Sequence, residues 1–328
     1  MAERNEHRCA APTSMAPASS IAPASAVPLI VDTDIFSDVD DVGALATAFA
    51  LQLKGEANVI AIGVNTRTSR PAVATNSWKC AAAIAQYYGF PATRMGTDMP
   101  NKGIARNTVD FVGPCSTMAS KTLVTPNKAV DVYRRALASQ VDGTVVMVGT
   151  GYMENLAALL NSPADSISPL TGRELVTQKV KSLVVMAGGF PSRIAENNIA
   201  GDPVSAADVA ANWPTKLVWS GYEVGDALHT GQTISMVHPT DSPVRIAYEA
   251  FVGAGNWIYS YDLTAIYHAV RPGDPLLTET GPGKNVVNSD GSNVFTSGPG
   301  NQYYLTLSNA LVLDQSIETL LGTLPTSK

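Results

Sequence analysis

The chain has 328 residues, 45% hydrophobic and only 15% charged, with a formal net charge of −6. This is enough apolar material for a large α/β core, and the negative balance argues against a nucleic-acid or anionic-membrane surface. No apolar run reaches the ~18 residues of a membrane span. The three cysteines, Cys9, Cys80 and Cys115, have no zinc spacing, and their odd number argues against a disulfide framework.

Residues 1–26 are Ala/Pro/Ser-rich, without hydrophobic period and without a continuous apolar segment like that of a signal peptide. They read as a disordered tail, leaving 27–328 as one domain. From Val27 the pattern alternates. "PLIV" is a short buried strand and Asp40 to Leu53 a helix. "NVIAIGVN" is a second strand, followed by a helix from Pro71 to Tyr87. "TVVMVGTG" leads into the helical "MENLAALL". "KSLVVMAGG" and "TKLVWSG" are further strands, with helices at Val204–Asn212 and Pro243–Phe251. Short β-rich runs between amphipathic helices predict an open, mostly parallel Rossmann-like α/β sheet with helices on both faces. The Gly-, Pro- and Asn-rich segment from Arg271 to Leu307 breaks this rhythm and predicts a small antiparallel addition, closed by a helix over Asp314–Leu321.

Ligands of open α/β sheets bind beyond the carboxyl ends of the strands. The stretch "VDTDIFSDVDDVGAL" lies at such an end and carries Asp32, Asp34, Asp38, Asp40 and Asp41. Helix capping accounts for one or two of these. Five together repel one another unless a cation is present, and hard carboxylate oxygens suit Ca²⁺ or Mg²⁺. An EF-hand loop fails: from Asp32 its sixth and twelfth positions hold Ser37 and Gly43, and from Asp38 the last position holds Phe49. An Asp-dependent phosphatase has the strand and the Asp-x-Asp, but Phe36 replaces the expected Ser or Thr. No P-loop and no G-x-S-x-G elbow occurs.

The order of four motifs resembles the calcium-dependent nucleoside hydrolases, the inosine-uridine nucleoside N-ribohydrolase family. They are "VDTDIFSDVDDVGAL", "GTGYMENLAALL", "VVMAGG" followed by "AENNIAGDP", and "SYDLTAIYHAV", spread over Pro28 to Ala269. The resemblance implies the nucleoside hydrolase fold and hydrolysis of ribonucleosides to ribose and free base. It implies Asp34 as general base and calcium ligand, Asp41 and Asp262 as further carboxylate ligands, and a ligand carbonyl on Glu154. It implies Asp40 on the ribose hydroxyls beside the ion, and Asn65, Met186, Glu196 and Asn198 around the ribose. Asp32 would order the loop from behind. A nucleoside partner, a dimer or tetramer, and no nucleic-acid or membrane partner complete the expectation, with the cytoplasm as default compartment.

Such chemistry suits these residue types. Breaking a ribosyl N–C bond develops positive charge on the sugar, which an acidic pocket stabilises. Each secondary residue also has a plain structural role open to it. Glu196 and Asn198 suit a turn, Asn65 a strand end, Asp262 a helix cap and Met186 a buried strand. Glu223 and Asp226 suit the start of a short helix.

The chain departs from the family at Phe36, where Gly is usual, which alters the loop or puts an aromatic wall in the pocket. Glu154 stands for the usual Thr. Tyr261 precedes Asp262, and none of His7, His229, His238 and His268 can be assigned as an acid for the departing base. These departures keep a second expectation open, a calcium- or sugar-binding relative with little turnover.

Overall fold

The computed structural model describes residues 25–98, 109–119 and 126–325. The expected tail lies, up to residue 24, outside the described residues.

Among the described residues eleven strands are formed: β1 (Val27–Thr33), β2 (Ala57–Val64), β3 (Met95–Thr97), β4 (Val145–Gly149), β5 (Val180–Met186), β6 (Lys216–Ser220), β7 (His229–Thr230), β8 (Ile258–Tyr259), β9 (Leu277–Val287), β10 (Asn293–Ser297) and β11 (Gln302–Leu307). Nine of them make one sheet in the order β10-β9-β11-β6-β5-β4-β1-β2-β3. The run from β3 to β11 is parallel, and β9 pairs antiparallel with both β11 and β10. The expected α/β class and its antiparallel addition are therefore both present. β7 and β8 form a separate antiparallel pair.

The sheet reverses its winding between β1 and β4, because β2 and β3 lie on one side of β1 and β4 to β6 on the other. Diverging crossovers leave a crevice above such a switch point. The aspartate stretch stands there, since β1 ends at Thr33 and the helix Asp40–Leu53 begins seven residues later. That helix is buried along Asp40–Leu51, so its first turn cannot swing into solvent. Separate apolar clusters fill the two faces of the sheet, around Phe49, Leu263 and Ile266 on one and Tyr133, Leu183 and Trp219 on the other.

One expectation fails, and of the two alternatives for Phe36 one is ruled out. Cys80 and Cys115 form a disulfide that joins the helices Pro71–Tyr87 and Val112–Ser116. The odd count arose because Cys9, in the tail, left an even pair in the fold. Phe36 is not a pocket wall. It is 3% exposed, stacks on Phe111 at 6.4 Å and lies under the Arg70 guanidinium at 5.2 Å. No helix among the described residues is long and apolar enough to cross a membrane.

Candidate active site

A cavity of about 630 Å³ opens at the carboxyl ends of β1, β4, β5 and β6, within the size range of small-molecule sites. Asp34, Asp38, Asp40, Glu196 and Asp262 line it, with Thr150, Met186 and Asn198 among the neutral groups and Tyr222, Phe251, Tyr259 and Tyr261 on the aromatic side. Among the described residues, no Lys, Arg or His lines it.

Asp34 is held from three sides. Ser37 Oγ donates to its carboxylate at 3.0 Å, Thr66 Oγ1 donates to its carbonyl at 3.2 Å, and Gly151 lies directly against its side chain. Asp41 is beneath the cavity rather than in its lining. Its Oδ1 accepts from Thr33 and, at 3.2 Å, from Thr150. Asp40 Oδ2 accepts the Asp262 backbone N–H at 3.1 Å, which ties the start of the helix Asp40–Leu53 to that of the helix Tyr261–Val270.

These carboxyls stand close together, all buried except the half-buried Asp38, and every one titrates above its ordinary range. Burial is the largest cause at each, followed by neighbouring carboxylates at Asp34, Asp40 and Asp262. Asp38 is raised by burial, and Asp41 is pushed up to about 7. Asp40 Oδ1 and Asp41 Oδ2 are buried and receive no hydrogen-bond donor. Orphaned carboxylate oxygens in a repelling cluster are stabilised by a hard cation. Asp38, Asp40 and Asp262 offer oxygens within 4.8 Å of one another, so this donor set fits a metal ion. Asp38 is thus brought into the cluster although no role was assigned to it in sequence. Asp34 and Asp41, two of the three carboxylates that the resemblance implies, are its immediate neighbours.

The remaining predicted residues divide. Met186, Glu196 and Asn198 line the cavity. Asn198 Nδ2 donates to the Met186 carbonyl at 3.0 Å, and Glu196 caps the short helix Asn197–Ala200 through the N–H groups of Asn198 and Ile199. Burial pushes Glu196 up to about 7. Asn65 stands behind the cavity, donating to Asp32 Oδ1 at 3.3 Å and to the Tyr152 carbonyl. Asp32 also accepts from Asn155 at 3.0 Å, and burial pushes it up to about 8. The Glu154 side chain is turned to Arg67, 3.1 Å away, and Arg67 also pairs with Asp202 at 2.9 Å.

Three supporting groups were not legible as such. Arg67 ties the loops after β2, β4 and β5 together. Glu223, which suits a helix start in sequence, accepts the N–H groups of Phe190 and Ser192, both at 2.8 Å, and so fixes the loop after β5. Asn293 in β10 accepts from Gly189 N–H at 2.8 Å, so the antiparallel addition braces the same loop. None of the described histidines reaches the cavity. His238 bonds Ser242 and the Leu321 carbonyl, His268 pairs with Glu279, and His229 packs on Trp257. His7 lies outside the described residues.

The sequence profile described as inosine-uridine preferring nucleoside hydrolase matches residues 29–290. No curated protein matches the chain in sequence. Among solved structures, the inosine-uridine preferring nucleoside hydrolase of Bacillus anthracis is similar at TM-score 0.65 and 15% identity, over 90% of this chain and 99% of the other. The purine-preferring ribonucleoside hydrolase of Gardnerella vaginalis is similar at 0.65 and 17%, over 90% and 98%. The type III effector XopQ, solved with adenosine diphosphate ribose, is similar at 0.66 and 13%, over 92% and 93%. At such identities the structural likeness shows a shared fold.

Proposed function

The chain belongs to the inosine-uridine preferring nucleoside hydrolase family, whose members are hydrolases of N-glycosyl bonds, and from that premise we propose that it splits ribonucleosides into ribose and free base, with Asp34 as general base and Ca²⁺ as cofactor. The carrying observation is the gathering of buried Asp34, Asp40, Asp41 and Asp262, with half-buried Asp38, around one cavity that no basic side chain among the described residues lines.

Asp34, Asp41 and Asp262 would hold the ion, with the Glu154 carbonyl as the resemblance implies. Asp38 is close enough to Asp40 and Asp262 to join them. When bound, the ion gathers water and ribose hydroxyls and makes the water more acidic. Asp34 takes one proton from the water that attacks C1′. Asp40 and Asn198 grip the ribose hydroxyls, and Met186 and Glu196 shape the floor on which the sugar lies. Asn65 acts one layer out, through Asp32 and Tyr152. The acidic wall stabilises the positive charge that grows on the ribosyl ring as the bond to the base lengthens.

The phosphatase reading loses support, because no Lys or Arg among the described residues lines the cavity to meet a phosphoryl group. A non-catalytic binder has no need of a base seated as Asp34 is, in reach of the sugar site. Residues 27–328 are read as one catalytic domain, since strands from both ends of that span meet in one sheet. The dimer or tetramer is proposed on the resemblance alone and is checked by light scattering. The disulfide counts against the cytoplasm, where thiols are kept reduced. Reducing-sugar release from a panel of purine and pyrimidine ribonucleosides, with and without chelator, tests the main reading. Phosphate release from nucleotides without sugar release would sink it, as would binding without turnover.

A further inference from the structure

The aromatic side of the cavity has an arrangement that the reaction above does not use. Tyr222 and Tyr261 both line the cavity, with ring centroids 5.5 Å apart and an interplanar angle of 26°. Tyr259 continues the row, 5.7 Å from Tyr261. One carboxylate oxygen serves both phenols: Asp226 Oδ1 accepts from Tyr222 Oη at 2.7 Å and from Tyr261 Oη at 3.3 Å. Asp226 is absent from the cavity lining, so both hydroxyl protons are given to a carboxylate behind the tyrosine row. The pair is closely seated, since a Cβ on Gly225 would stand 2.4 Å from Tyr261 Cα. Tyr261 is next to Asp262, whose N–H binds Asp40, so the tyrosine row is fixed relative to the sugar site.

We propose that Asp226 is a positioning residue of the leaving-base subsite, engaging the hydroxyls of Tyr222 and Tyr261 so that neither donates to the departing base, and that the site therefore selects ribosides whose base departs without a proton, bases carrying a positive charge above all. This inference rests on the hydrolase reading. The N–C1′ bond breaks with its electron pair going to the base nitrogen. The water oxygen bonds C1′, and its proton passes to Asp34. A cationic base then leaves neutral and the balance is complete, whereas a neutral base leaves as an anion and must take its proton from solvent. Among the described residues no histidine, lysine or arginine lines the cavity to give it one, and the Glu196 carboxylate is already taken up by the N–H groups of Gly188, Asn198 and Ile199. Tyrosine faces and a wall of carboxyls suit a flat cation on both counts.

The test uses the calcium-loaded full chain with inosine, with the cationic 7-methylinosine, and with p-nitrophenyl ribofuranoside, whose leaving group needs no proton. A missing acid forfeits about 10²–10⁴-fold on a neutral base, so kcat/KM for the last two should exceed that for inosine by at least ~100-fold. Tyr261→Phe and Tyr222→Phe should lower all three together and leave their ratios unchanged. Asp226→Ala should raise KM about tenfold with kcat little changed, and Asp226→Asn, which keeps an acceptor, should recover most of that loss. Near-equal rates on inosine and 7-methylinosine would overturn the proposal. So would a Tyr261→Phe enzyme that is slowed at least ~10-fold on inosine alone, since the phenol would then be the acid. Failure of the wild-type enzyme on all three ribosides would refute the hydrolase reading itself, and this inference with it.

Discussion

Gly151 and Asp34 touch so closely that a Cβ added to Gly151 would stand 2.5 Å from Asp34 Cβ and 2.7 Å from Asp34 Oδ1. No methyl group fits there without moving the carboxylate, and the flanking Thr150 is itself bonded to Asp41. Gly151→Ala should therefore displace the proposed base by about 1 Å. The expected result is a fall in kcat of at least ~100-fold, because such misplacement is costly in a preorganised site. Circular dichroism and melting temperature should change little. An alanine variant with near wild-type turnover would separate Asp34's position from catalysis.

Asp34→Ala removes the base itself. Turnover at saturating calcium should drop by ~10³-fold or more, combining general-base loss of ~10²–10⁴ with poorer order around the ion. A variant that keeps a tenth of the wild-type rate would take Asp34 out of the mechanism.

Much of this site was legible because its signals are local. The helices Pro71–Tyr87 and Pro243–Phe251 begin at a proline and have the bounds expected from sequence. The aspartates declare themselves by number at a strand-to-helix junction. What escaped is long-range or weakly patterned. Gly189 meets Asn293 across 104 residues and Ser192 meets Glu223 across 31, and no spacing rule joins them. Cys80 and Cys115 pair across 35 residues, hidden by an odd total. β3 is three residues long, too short to show a period. The last helix starts at Ala310, ahead of the expected Asp314, because Asn309 caps it by accepting from Val312 N–H.

Arg67 carries the tie between loops. Its side chain is 13% exposed and faces both Glu154 and Asp202, with the Tyr152 ring 5.4 Å from its guanidinium carbon. Arg67→Met would remove the cation that Asp202, a largely buried carboxylate, shares with Glu154. Breaking such a pair from one side costs roughly 3–5 kcal/mol. Urea unfolding should show this loss, and a difference below ~1 kcal/mol would demote the tie to an ordinary surface pair.

Metal and pH should be linked in stability. Unfolding returns the buried aspartates to the ordinary 3.8, while in the fold Asp41 titrates at about 7 and Asp32 at about 8. The unfolded chain then releases protons that the metal-free fold retains. Stability is therefore fullest below pH ~4 and is lost as pH rises through ~7–8, for these groups. Calcium binds the ionised cluster and should offset that loss, so the rise in melting temperature on adding Ca²⁺ should grow from pH 5 to pH 8. Differential scanning calorimetry with and without chelator measures it. A calcium-induced shift independent of pH would contradict the proposed ligand set.

Asp40 joins stability and catalysis with opposite signs. It lines the cavity, and its Oδ1 is buried without a donor beside other carboxylates. In the metal-free fold this is a source of repulsion, so Asp40→Asn should raise the apo melting temperature. In the reaction Asp40 is the proposed grip on the ribose hydroxyls, and losing a hydrogen bond to a charged group costs about 1.5–3 kcal/mol. kcat/KM should then fall about 10- to 200-fold for Asp40→Asn. Removing the 2′-hydroxyl from the substrate should cost a similar factor. The two losses should not add, since each deletes one side of the same contact. Additive losses in this cycle would show that Asp40 serves the fold or the metal and leaves the ribose to Asn198.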